Sequence, residues 1–268
     1  MATASISNRD IRGVIFDWGD TLIHPPGLTT DSDGHFGCVE AFFREDLPNR
    51  FAPARDVSDG TWQRFRKNYE SVARRQIQES LETGAEHSFE ERFACTLAET
   101  FAQADTPADA DLAWMATRFG ERVASECWQM ANADAVLPRL ARHFKIGLLS
   151  NYPHAPAVHA SLERFGLLTH MDTVVVSGDI GWAKPDPRAF EHTVTAIGVP
   201  PQHLLYVGDD IVNDMQGAKA AGLVTAWLPR QNQDRGDGGR HACVDVTITG
   251  LSDLTALLGD GEGTVQQS

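Results

Sequence analysis

Asp17 closes a short apolar run, Gly13-Val14-Ile15-Phe16, and Trp18, Gly19, Asp20 and Thr21 follow it at once. The run has the length and content of a buried strand, and the Gly-Asp-Thr behind it turns the chain. At the carboxyl end of a strand in an open α/β sheet, a carboxylate faces the crevice where ligands bind. A carboxylate so placed can be a nucleophile, since attack on phosphorus gives an acyl-phosphate that water then hydrolyses. Asp-Gly turns after strands are also common without any chemistry. The assignment therefore depends on three later segments.

Those segments are Leu148-Leu149-Ser150-Asn151, Trp182-Ala183-Lys184-Pro185-Asp186-Pro187 and Val207-Gly208-Asp209-Asp210-Ile211-Val212-Asn213-Asp214. Asp209 and Asp214 supply hard oxygen ligands suited to Mg2+. A dianionic substrate must be screened from an attacking carboxylate, and carboxylates converging on one crevice repel without a cation. The rival reading of this run is a polar helix start, where Asp and Asn cap well. The hydroxyl and backbone N–H groups of Ser150 and Asn151 can hold phosphate oxygens near the next helix N-terminus, or the pair can be a plain N-cap. Lys184 lies in a loop, where its ammonium can neutralise phosphate and keep Asp17 ionised. It is one of only four lysines (67, 145, 184 and 219), although biased composition alone would explain that scarcity.

The elements that must position these residues fall into two patterns. From 134 onward, helices at 134–143, 155–166, 187–198 and 213–221 alternate with strands at 145–150, 172–177, 203–208 and 223–228. A short strand near 244–248 and a helix at 252–258 close the series. Short apolar runs separated by helices of this length indicate βαβ units and a parallel sheet. The strand ending at Asp17 must join that sheet, because alone it could bury neither face. Between them, His24 to Gly37 reads as a linker rich in Pro and Gly, and helical spacing then runs to about 131. Trp62, Phe65, Tyr69 and Val72 share one face; Leu112, Met115, Phe119 and Val123 share another. Ser88-Phe89-Glu90-Glu91 is a capping box, and Thr106-Pro107 reads as a cap with proline at the first helical position. The expected organisation is a Rossmann-like α/β core at 9–24 and 132–258. A helical insert of about four helices occupies 25–131, and the ends at 1–8 and 259–268 are loose.

Bulk composition narrows the function. With 42% hydrophobic and 22% charged residues, the 268-residue chain is ordinary for a globular protein with ample core. A net charge of −14 argues against nucleic acid or an anionic membrane surface as a partner. No run approaches 18 apolar residues and no signal-peptide pattern opens the chain, so a cytoplasmic protein is expected. Cys38, Cys95, Cys127 and Cys243 show no zinc-ligand spacing; buried, reduced thiols are expected, three of them in helical patterns.

The four segments, in this order, resemble the signature of the haloacid dehalogenase (HAD) superfamily. The resemblance is specific over 12–24 and 145–222, and it implies a Rossmann-like sheet with Asp17 on its central strand and a helical (type C1) cap. Only 33 residues lie between Ser150 and Lys184, which leaves no room for the other large cap type. It further implies catalytic roles for Asp17, Ser150 and Lys184, and phosphate contacts from Trp18, Gly19, Ser150, Asn151 and Lys184. Mg2+ would be held by Asp17, Asp209 and the backbone carbonyl of Gly19, with Asp214 acting partly through water or by holding Lys184. Whether Asp210 also touches the metal is left open. The implied activity is Mg2+-dependent hydrolysis of a small phosphorylated metabolite.

One departure matters. Phosphatases that this chain resembles carry a second Asp two residues after the nucleophile, as general acid on the leaving group; here that position is Gly19, and Asp20 stands where the family usually has Gly. Asp20, His24 and His35 are the candidate replacements. Relatives specialised in phosphonate cleavage or dehalogenation also lack this Asp. The former need a cap lysine, and Lys67 is the only one between 25 and 131. The latter work without Mg2+ and lack the full acidic fourth segment, which Asp209 and Asp214 here provide. A catalytically impaired protein that binds a phosphate ligand or a partner is the remaining alternative.

Overall fold

The computed structural model describes residues 6, 9–26, 37–102, 106–230 and 242–259. Its centre is a six-stranded sheet in the order β5-β4-β1-β6-β7-β8, parallel throughout. The strands are β1 (Gly13–Phe16), β4 (Lys145–Ser150), β5 (Thr173–Val176), β6 (Leu204–Gly208), β7 (Val224–Trp227) and β8 (Val246–Thr247). The chain adds β4 and β5 on one side of β1 and then crosses to add β6, β7 and β8 on the other. Strand order therefore reverses at β1. A crevice opens at the carboxyl ends of the strands flanking such a reversal.

Strand alternation sorts the core into two layers. Val14 and Phe16 of β1, Leu148 of β4, and Leu205 and Val207 of β6 share one cluster. Ile15, Leu149, Leu204 and Tyr206 face the other way. Helices α6 (Ala133–Leu140), α7 (Ala155–Arg164) and α11 (Asp253–Leu258) cover the first face. The second is covered by α9 (Pro187–Ile197), with Met215 and α10 (Gly217–Ala220) beside it. A one-turn helix, α8 (Ser177–Ile180), follows β5 directly.

The segment between β1 and α6 is helical. α1 (Gly37–Ala41) runs through a wider π-type turn at Phe42–Asp46 into α2 (Leu47–Arg50); α3 (Asp59–Thr83), α4 (Phe89–Thr100) and α5 (Asp109–Glu126) follow. Their seam is aromatic: Phe42, Phe65, Phe89, Phe93 and Phe119 are fully buried, and the rings meet in tilted or edge contacts. Two short strands, β2 (Ile23–His24) and β3 (Trp128–Gln129), pair antiparallel and tie the two connections of the insert together. Arg164 of α7 donates to the carbonyls of Ala124, Ser125 and Cys127, which satisfies the free end of α5.

Most expected elements fall within two or three residues of their observed bounds. The Ser88 capping box forms, with Glu91 reaching back to the Ser88 N–H. Thr106-Pro107 does not cap α5. That helix starts at Asp109 after an extended Ala108, whose carbonyl takes the first bonds from Asp111 and Leu112. Cys38 and Cys127 are buried, and burial pushes the Cys127 thiol up to about 12 and that of Cys38 upward too. Cys95 is exposed on α4, contrary to expectation, because it lies on the outer face of that helix. Ile6, within the segment read as a loose leader, is buried in the first core layer.

Candidate active site

Asp17 continues the β1–β6 ladder, its N–H donating to Val207 O at 2.8 Å. Two residues beyond Ile15, it shares that residue's side of the sheet, and Tyr206 is the register partner of Ile15. Lys184 reaches the same point from the loop before α9. Its Nζ donates to Asp17 Oδ1 at 2.6 Å, Asp214 Oδ1 at 2.7 Å and Tyr206 Oη at 2.9 Å. All three donor positions of the ammonium are used. Asn151 fixes the loop that carries this lysine: its side-chain amide donates to Lys184 O and accepts from Lys184 N. The Asn151 side chain thus holds the lysine backbone.

After β6 the chain folds back on Asp214. Its Oδ2 accepts the N–H groups of Asp209 and Asp210 at 3.1 and 3.0 Å, while Tyr206 Oη donates to Oδ1. Gly208 permits this approach; a Cβ there would lie 2.5 Å from Asp214 Oδ2. Asp210 turns the other way and caps the π-type turn at Ile211–Gln216, accepting from Val212 N and Asn213 N. Asp17, Asp209 and Asp214 remain as a buried cluster whose carboxylate oxygens lie within 4.8 Å of one another.

The electrostatics of this cluster are unbalanced. Burial, with repulsion from Asp214, raises the Asp17 carboxyl to about 7 against the pull of Lys184. Asp209 is held well above its ordinary range too, by burial and then by Asp214 and Asp17. Burial opposes the charge on Lys184, but Asp17 and Asp214 overcome it and hold that ammonium protonated well above its ordinary range. Three buried carboxyls face the Lys184 ammonium and the edge of one guanidinium, Arg230, which is shared with Asp20, so the cluster keeps an excess of acid that suits another cation. The donors are hard oxygens with no His or Cys among them, so the set fits a small divalent ion such as Mg2+.

Gly19 follows Trp18, whose indole N–H is spent on Ser161 Oγ at 3.0 Å beneath the site. Among the described residues nothing crowds position 19: the nearest atom to an added Cβ is Pro25 Cγ, at 3.9 Å. Asp20 takes φ 55°, the left-handed region that glycine favours and Asp tolerates. Its carboxylate meets His24 Nδ1 and, at 3.1 Å, Arg230 Nε, and the same Nε donates to Asp209 Oδ2. Asp20 and His24 thus pair with each other at the edge of the carboxylate cluster. His35 lies outside the described residues. Ser150 is buried at the end of β4 beside this crevice, whereas Lys67 lies exposed on α3.

Tyr206 and Arg230 were not foreseen from sequence. A tyrosine in the otherwise apolar Leu204-Leu205-Tyr206-Val207 strand, two residues before the acidic turn, was the available signal; Arg230 had none. A cleft of about 250 Å³ leads from Lys184 and Asn151 past Tyr152 and Pro153 to α3 and α4.

The chain is similar to known proteins in sequence and in fold. The chain is 30% identical over 141 residues to a pyrimidine 5'-nucleotidase, YjjG, of Escherichia coli, across 52% of this chain and 61% of that one. Over 65 residues it is 42% identical to a phosphoserine phosphatase of Thermus thermophilus, across 24% of this chain and 26% of that enzyme. The chain thus spans less than two thirds of either relative. Among solved structures, a 2-haloacid dehalogenase from Pseudomonas syringae pv. Tomato superposes with a TM-score of 0.63 at 21% identity, over 92% of this chain and 97% of that one. The magnesium-bound HAD-hydrolase YfnB from Bacillus subtilis gives 0.59 at 20% identity, over 94% and 100%. Both share the fold. No helix among the described residues is long and apolar enough to cross a membrane. The sequence model of the haloacid dehalogenase-like hydrolases matches residues 11–222, which takes in β1, the inserted helices and the loops bearing Lys184, Asp209 and Asp214, and the chain belongs to that family of enzymes.

Proposed function

We propose that this chain is a Mg2+-dependent phosphohydrolase acting on a small phosphorylated metabolite, with Asp17 as nucleophile. The observation that carries the reading is Lys184 bound at once to Asp17 and Asp214 inside a cluster completed by Asp209. Asp17 uses Oδ1 for Lys184, which leaves Oδ2 to attack phosphorus. The P–O bond to the leaving group breaks as the aspartyl-phosphate forms, and water then hydrolyses that acyl-phosphate. Lys184 keeps Asp17 ionised and oriented. Tyr206 and Asp214 hold Lys184 in turn, and Asn151 fixes the backbone beneath it. Ser150 and the backbone N–H groups of Trp18, Gly19 and Asn151 are the proposed phosphate contacts. Asp17, Asp209 and the Gly19 carbonyl would hold Mg2+ directly, with Asp214 holding Lys184 beside them. When bound, the ion would screen phosphate charge from the carboxylates.

The phosphonate-cleaving alternative has no support, since Lys67 is exposed on α3. The dehalogenase reading draws on fold likeness alone, and the acidic cluster speaks against it. Turnover across a panel of phosphorylated metabolites, with and without Mg2+, tests the proposal. Asp17→Asn should abolish turnover while circular dichroism stays unchanged, and mass spectrometry should place trapped phosphate on Asp17. An Asp17→Asn protein with full activity sinks the assignment.

A further inference from the structure

The cleft that begins at Lys184 ends among the inserted helices, where Gln76, Ile77, Ser80 and Leu81 of α3 face Glu86 and Arg92. At about 250 Å³ it falls below the roughly 300–1,000 Å³ of sites for drug-sized ligands, which suits a small metabolite. Arg92 is the unusual member of this wall. It is only 7% exposed, yet its one side-chain hydrogen bond among the described residues runs from Nε to Gln76 Oε1, at 2.8 Å. The guanidinium lies over the Phe89 ring at 5.3 Å and near that of Tyr69 at 5.9 Å, so its plane is set, and beyond the neutral Tyr69 hydroxyl its terminal nitrogens meet no acceptor and no ion-pair partner among the described residues.

A cation held out of water normally has an anion beside it. Glu86, Tyr69 and Tyr152 lie near Arg92, and none of them forms an ion pair with it among the described residues. The Glu86 carboxyl is turned to other partners, accepting from Ser177 Oγ and the His87 N–H. Burial raises the phenols of Tyr69 and Tyr152, which stay neutral. The structure therefore keeps a guanidinium with a fixed plane, a tethered Nε and terminal donors without an anionic partner in the wall of the cleft that Lys184 also lines. A carboxylate accepts two parallel N–H bonds from such a fork. Between the two ends, Ile77 and Leu81 present apolar surface, at 52% and 43% exposure, suited to a short carbon chain.

We infer that Arg92 is a specificity residue that receives the carboxylate of a carboxylated phosphate ester whose phosphoryl group lies against Asp17 and Lys184. The inference rests on the phosphohydrolase reading for the phosphate end only.

The test uses ω-carboxyalkyl phosphates of graded chain length, each paired with its carboxamide and with an alkyl bisphosphate, and p-nitrophenyl phosphate as a reference without the second group. With the Mg2+-loaded full chain, one length should show a carboxylate preference over the amide of about 10- to 100-fold in kcat/KM, the range of a charge-assisted hydrogen bond. Arg92→Gln should erase that preference through KM and leave p-nitrophenyl phosphate turnover in place; Arg92→Lys should retain part of it. Calorimetry of the same pairs on the Asp17→Asn protein reads the preference without any chemistry. Carboxylate preference in binding without turnover of any phosphate would uphold Arg92 and defeat the phosphohydrolase reading. Turnover of p-nitrophenyl phosphate with no carboxylate preference at any length would defeat the inference alone. A stronger preference for the bisphosphate, or a carboxylate preference that survives in Arg92→Gln, would overturn it as well. The ligand comparison in the unaltered protein decides the matter even if the variants fold poorly.

Discussion

Position 19 shows how a single residue divides the chemistry. No steric need for its glycine arises among the described residues, where an added Cβ would meet Pro25 Cγ alone, at 3.9 Å. The residue that does sit in a glycine-like conformation is Asp20, at φ 55°. Set against the Asp-then-Gly order that the resemblance implies, the two residue types stand exchanged here, and position 19 carries no carboxyl. Unless Asp20, His24 or His35 replaces it, negative charge on the departing oxygen goes unrelieved. Rates should then fall steeply as the leaving-group pKa rises. Gly19→Asp should speed alkyl phosphates more than aryl phosphates, by up to about 10²-fold, the lower limit for a positioned general acid. Comparing kcat/KM across a leaving-group series in both proteins checks this. A flat series in the unaltered protein that steepens in Asp20→Asn or His24→Ala would show that the acid had moved to that pair.

At the scale of elements, β6 and the turn after it set the site, and much of this was legible in the sequence. The Leu204–Gly208 run, its abrupt polar end and the alternation with helices placed Asp209 and Asp214 at the carboxyl edge of a parallel sheet. Periodicity records which face an element buries, so the order of strands and helices was recoverable. What it does not record is how a side chain is spent once neighbouring elements arrive. Asn151 holds the lysine backbone, Asp210 is a cap, Arg230 comes in from the segment after β7, and Arg92 meets the cleft from α4. Each depends on packing between segments distant in sequence. Gly208 is the contact where element geometry and chemistry coincide. Gly208→Ala would force a methyl group to within 2.5 Å of Asp214 Oδ2. Asp214 must then release the Asp209 and Asp210 N–H groups or Lys184. Thermal or urea denaturation should show a loss of about 1–3 kcal/mol, as for other overpacked sites, together with a drop in turnover. Unchanged stability and activity would mean that the loop yields at little cost.

Across the whole molecule, the net charge of −14 and the buried carboxylate cluster act in the same direction. Asp17 is raised by burial to about 7 and Asp209 is raised as well, so in the absence of metal the folded state binds protons more tightly there than the unfolded chain. Stability from a raised carboxyl is fully present below the unfolded pKa, near 4, and is lost as pH rises through the folded value. Metal-free protein should therefore lose thermal stability between about pH 4 and pH 7 through this cluster. The carboxylates held low by partners, such as Asp46 between Arg122 and Arg118, Asp172 beside Lys145 and Asp245 beside Lys219, lose their contribution only at more acid pH, below that window. His154 works the other way. Burial lowers its pKa, so its contribution is present above about 6.5 and fades as pH falls. Because His154 is the same with and without metal, the difference between the two melting curves isolates the cluster. Mg2+ binds the ionised carboxylates, so its stabilisation should be small at pH 5 and grow toward pH 8. It should reach about 2.7 kcal/mol once the free ion is a hundredfold above its dissociation constant. Differential scanning calorimetry over this pH range, with EDTA or with Mg2+, makes the comparison. A Mg2+ effect that is absent, or that does not grow with pH, would mean that Asp17, Asp209 and Asp214 do not form a metal site.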